Sequence, residues 1–119
     1  MERRDSERFE VWFPVQLQAA AESGKQRITM SRDVSARGIL LSAATKVEPG
    51  AKVVVTFRIL PDEPTERTLQ GRIVRVESNT DDVDGLWPLR LAVEFDEPVF
   101  ELAEQLAAAE ELRKHYRDE

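Results

Sequence analysis

The sequence predicts a mainly β fold, six antiparallel strands in a barrel or a strongly twisted sandwich, followed by one C-terminal α-helix. Three observations predict it. Apolar and polar residues alternate in several short segments, the period-two pattern of strands with one buried face. Turn-forming residues separate those segments at short, regular intervals, which suits a barrel or a strongly twisted sandwich. Near residue 98 the period changes to that of an amphipathic helix. With 119 residues there is room for one core and one domain.

The first strand starts at Phe9, where FEVWFPVQL places Phe9, Val11, Phe13, Val15 and Leu17 on one face. AESGK turns the chain, and Gln26 to Ser35 form a second strand that reaches the Ala36-Arg37-Gly38 turn and a third strand, ILLS. Pro49 and Gly50 introduce VVVTFRIL, with Val53, Val55, Phe57 and Ile59 facing inward. After the polar loop PDEPTER come LQGRIVRVE, the loop SNTDDVDG and the alternating PLRLAVEF. Residues 9–97 are therefore expected to form the barrel, and Trp12 and Trp87 to pack within it. Residues 1–8 hold a single apolar side chain, Met1, and are expected to be flexible.

Residues 98–117 belong to the helix. Asp96 or Glu97 is placed to cap it, with Pro98 near its first position. Val99, Leu102, Leu106, Ala109, Leu112 and Tyr116 follow a helical stripe, expected to cover an open end of the barrel.

The composition excludes several function classes. There is no cysteine, so neither a disulfide framework nor a thiolate nucleophile is available. His115 is the only histidine and sits near the helix end, where neither a triad nor a histidine metal site can be built around it. In the loop NTDDVDG, alignment on Gly85 leaves Thr80 at the first ligand position of a calcium loop and Leu91 where its glutamate belongs, so a solvated hairpin tip is expected. The start of the chain is charged and no apolar run approaches the roughly 18 residues a membrane helix needs. A cytoplasmic protein without catalytic, cofactor or metal residues, and without membrane insertion, is expected.

Charge is uneven. Residues 1–38 carry seven basic and six acidic side chains, whereas residues 39–119 carry ten basic and seventeen acidic, within a net charge of -6. An anion is expected near the N-terminal third, and general nucleic-acid binding is disfavoured.

Two short stretches carry the chemistry. Arg4 and Arg8 lie four apart, on one side of the chain whether it is helical, about 6 Å apart, or extended, about 13 Å apart. A guanidinium fork grips phosphate with two hydrogen bonds, reads the O6 and N7 edge of guanine and stacks on a purine. In the second stretch, DVSARG, strand alternation sends Val34 to the core and Asp33 and Ser35 to the opposite face. A carboxylate can accept the two N-H donors of a guanine edge, and a serine hydroxyl serves base or phosphate. Gly38 allows a positive φ or a close backbone approach. Taken singly, the arginine pair reads as a solvated tail and the turn as an Asx or Ser turn closed by glycine.

Together, an Arg-x-x-x-Arg pair before the first strand and an Asp-x-Ser-x-x-Gly turn between strands two and three make the chain resemble the PilZ domain family. Arg4, Arg8, Asp33, Ser35 and Gly38 match the family signature, and the resemblance runs from about Arg3 through the helix. It implies a six-stranded antiparallel β-barrel of the split type, in a bacterial protein that binds cyclic di-GMP without catalysis. Arg4 and Arg8 would take phosphate and guanine, Asp33 and Ser35 the guanine polar edge. Arg3 extends the pair to Arg-Arg-x-x-x-Arg, which resembles members that bind a stacked nucleotide dimer. Arg32 and Arg37 are further candidates. A downstream protein partner is expected, with the receptor a monomer or homodimer; the alternative is a diverged adaptor that binds protein and no nucleotide.

Overall fold

The computed structural model describes residues 8–22, 25–59, 66–82 and 85–117, with backbone alone for 112–117. Seven strands precede one helix: β1 (Phe9–Glu10), β2 (Pro14–Ala19), β3 (Arg27–Val34), β4 (Gly38–Ala43), β5 (Lys52–Phe57), β6 (Arg67–Ser78), β7 (Leu89–Phe95) and α1 (Phe100–Arg117). Neighbours follow the order β3-β2-β5-β6-β7-β4, and β4 pairs back onto β3. That last pairing closes a six-stranded antiparallel barrel, with the short β1 added beside β3.

The extra element comes from the first predicted strand, which the structure divides. Both β1 and β2 pair with β3, but three residues, Val11 to Phe13, stand opposite two, Ser31 and Arg32. This is a bulge of one residue. Ser31, fully buried, bridges it: its hydroxyl donates to the Val11 carbonyl at 2.5 Å and accepts the Phe13 amide at 3.0 Å. The inward phase survives, since Phe9, Val11, Phe13, Val15 and Leu17 are all buried. Trp12, at the apex of the bulge, is instead 62% exposed and so does not pack within the barrel as the sequence suggests.

Two further bulges shift strand phase. Between β3 and β4 the register slips at Arg32, and between β6 and β7 it slips at Val74. In each case two consecutive side chains lie off the core face, Arg32 with Asp33 and Val74 with Arg75, before inward packing resumes at Val34 and Val76.

The core is one cluster in which the Phe13 and Phe57 rings stack at 5.1 Å. Leu102 and Leu106 of α1 are fully buried in the same cluster, which settles the helix onto the barrel. Its first residue is Phe100, two beyond Pro98, and the Val99 amide donates to the Ala36 carbonyl at 2.7 Å. Asp96 and Glu97 therefore lie before the cap position. Leu112 and Tyr116 belong to the residues whose side chains are not described.

Candidate functional site

The Asp-x-Ser-x-x-Gly stretch forms the end of β3, a tight turn and the start of β4. Ser35 donates its amide to the Gly38 carbonyl at 2.9 Å, and its hydroxyl accepts the Arg37 amide at 3.2 Å. The turn is also anchored from outside. The Arg37 carbonyl accepts the Phe95 amide at 2.9 Å, and the Ala36 carbonyl accepts the Val99 amide, so the end of β7 and the entry to α1 both hang on it. Gly38 has no positive φ; it is glycine because a Cβ there would run into the Val93 carbonyl of β7. Gly71 meets the same strand from β6, where a Cβ would strike the Glu94 carbonyl.

Val34 points into the core and Asp33 away from it, as the alternation predicts. Ser35 differs: β3 ends before it, it is only 4% exposed, and its hydroxyl already serves the turn. Both nevertheless line one depression of about 620 Å³. Arg8 reaches it from the N-terminal side and donates to Asp33 at 2.6 Å. The Arg8 side chain is 63% exposed, so this ion pair contributes about 0 to 1 kcal/mol and opens at little cost. Arg3 and Arg4 lie outside the described residues.

The other wall was not visible in the sequence motifs. It comes from β6 and β7, which supply Arg75 and Arg90 together with Glu77 and Glu94. With Arg8 and Arg37, four arginines face three carboxylates (Asp33, Glu77 and Glu94) among the described residues, in a chain of net charge -6. The acidic two thirds of the sequence thus contribute two of the cations, which the charge distribution along the chain alone does not anticipate. Arg75 owes its outward direction to the Val74 bulge.

Arg32 does not enter the depression. It donates to Asp81 at 3.2 Å, and its guanidinium lies 4.8 Å from the centre of the Trp12 ring, a cation–π contact. The hairpin tip is likewise more built than a solvated loop: Asn79 is fully buried and its amide donates to the Trp87 carbonyl at 2.7 Å. Val83 and Asp84 of that loop lie outside the described residues.

Fold and site together define a small closed β-barrel with a cation-rich depression beside a rigid Ser-Gly turn. More particularly, the chain belongs to the PilZ domain family, a family of cyclic di-GMP receptors and adaptors whose domains are in general non-catalytic: the PilZ domain model matches residues 2–109. No curated protein matches the chain. Among solved structures it is similar to the Bacillus subtilis inhibitor of motility MotI/DgrA, with a TM-score of 0.65, 19% identity and 94% of this chain covered. The match spans 51% of that protein, about half its length. It is also similar to the PilZ domain of CeSA from a cellulose-synthesizing bacterium, with a TM-score of 0.58, 19% identity, and 86% of this chain and 92% of that one covered. At such identities the likeness speaks for the fold. No described helix is long and apolar enough to cross a membrane.

Proposed function

We propose that this domain is a cyclic di-GMP receptor whose binding site is the depression between Arg8, Asp33, Ser35 and Gly38. The observation that carries the reading is the convergence of Arg8 and Asp33, 25 residues apart in sequence, at one lip of a four-arginine depression. Family membership supports it. Arg4 and Arg8 take phosphate and a guanine edge, and Arg3 adds a third guanidinium that suits a stacked pair of nucleotides. Asp33 accepts from a guanine Watson-Crick edge.

Arg8 occupies the acceptor that guanine would use, so binding exchanges one exposed ion pair for several charge-assisted hydrogen bonds of about 1.5 to 3 kcal/mol each. The surplus serves to settle the N-terminal segment on the barrel, an order–disorder switch that alters the surface offered to a downstream protein. The turn provides a second route, because its Ala36 carbonyl holds the entry of α1.

Isothermal titration with cyclic di-GMP tests the reading, with GTP and cyclic GMP as controls. Saturable binding by cyclic di-GMP alone is expected, with a molar ratio of two if Arg3 completes a dimer site. Protection of the segment around Arg4 from trypsin at saturation would accompany it; unchanged cleavage would remove the switch while leaving the receptor reading in place. No binding would move the assignment to a protein-binding adaptor.

A further inference from the structure

Arg90 is more covered than Arg8 and Arg75, two other cations of the depression. Its Nε donates to the Asn79 side-chain oxygen at 3.1 Å, and a terminal nitrogen donates to Asp81 at 2.7 Å. Its side chain is 22% exposed, against 63% for Arg8 and 58% for Arg75. Asn79 is itself fixed: fully buried, it donates to the Trp87 carbonyl and accepts the Asp81 amide at 3.3 Å. The same Asp81 oxygen accepts from Arg32 of β3, which ties the β6–β7 hairpin to the strand that carries Asp33.

We propose that Asn79 and Asp81 are positioning residues that hold Arg90 as a preset guanidinium for the anionic ligand, with Asp81 also clamping β3 through Arg32. The inference rests on the nucleotide reading above and names the part of the site that is fixed before the ligand arrives. A guanidinium whose rotamer is already selected loses little side-chain freedom on binding, and holding it costs the site one carboxylate of unfavourable sign. Electrostatics and positioning therefore make opposite predictions for removal of Asp81. Deleting a negative charge beside an anion site strengthens binding if charge alone matters. If Asp81 positions Arg90, deletion weakens binding despite the more favourable charge.

The test uses the full chain, with cyclic di-GMP affinity measured by titration for the native protein, Asp81→Ala and Asp81→Asn at several salt concentrations. Asp81 is 63% exposed, so both variants are expected to fold. The expected result is binding about five-fold weaker in Asp81→Ala, the loss of one preset rotamer, and a smaller loss in Asp81→Asn, whose amide oxygen still accepts. Equal or tighter binding in Asp81→Ala overturns the proposal. NMR of the arginine terminal Nη groups separates it from the nucleotide reading, because it needs no ligand. The Arg90 Nη groups, one of which donates to Asp81, are expected to rotate slowly in the native protein and faster in Asp81→Ala; an unchanged rotation overturns the positioning role whether or not the nucleotide binds. Absence of cyclic di-GMP binding by the native protein would sink the receptor reading, and with it the ligand that Arg90 is held for.

Discussion

The two walls of the depression hold their arginines in opposite ways. On the N-terminal side Arg8 stands just outside β1, mostly exposed, and among the described residues it pairs with Asp33. On the β6–β7 side Arg90 is largely covered and engaged by both Asn79 and Asp81. The difference lies in the backbone. Arg8 precedes a two-residue strand, whereas Arg90 sits within a strand paired on both sides and beside a hairpin whose buried asparagine satisfies the local polar groups. On the proposed reading, the exposed Arg8 moves toward the ligand while Arg90 is set in advance.

Mutations that attack the backbone contacts behind the walls should cost fold stability, and those that attack their ligand-facing side chains should cost ligand binding alone. The largest effect is expected at Gly38→Val, which forces a branched side chain against the β7 backbone; a loss of at least about 2 kcal/mol in urea unfolding would reflect overpacking at a strand contact. Ser31→Ala leaves the Phe13 amide and Val11 carbonyl without their bridge and should cost about 1 to 3 kcal/mol by the same assay, with no direct contact to the site lost. Arg8→Ala should leave unliganded stability within about 0.5 kcal/mol of native while removing most nucleotide-dependent stabilisation. The smallest effect is the ligand-free coupling of Arg8 and Asp33, which a double-mutant cycle should place at about 0 to 1 kcal/mol. A coupling well above that would mean Arg8 is as fixed as Arg90, and the contrast between the walls would disappear.

How far the sequence foretells this arrangement depends on which wall is considered. The alternation of Phe9 through Leu17, the inward Val34, the outward Asp33 and the buried stripe of Leu102 and Leu106 all follow from strand and helix periods. The Arg8–Asp33 meeting follows from two spaced motifs and from family resemblance. The second wall escapes because no residue type marks a bulge. Arg75 and Arg90 look like ordinary outward charges on strands, and Asn79 like one polar residue of a loop. A trace did exist: in LQGRIVRVE the inward residues Ile73 and Val76 lie three apart, a change of parity that a regular strand forbids and a bulge explains. Ser35 shows the converse. Its placement in the motif is legible, but its burial in the turn follows from the short connection to β4, which uses its hydroxyl to satisfy the Arg37 amide.

The most direct test of the receptor assignment is a thermal-shift titration of native protein and Asp33→Ala with cyclic di-GMP. At about 100 times the dissociation constant, native protein should gain roughly 2.7 kcal/mol, several degrees for a domain of this size, while Asp33→Ala melts near the native unliganded temperature and does not respond. An equal shift in both proteins, or none in the native one, would contradict the account.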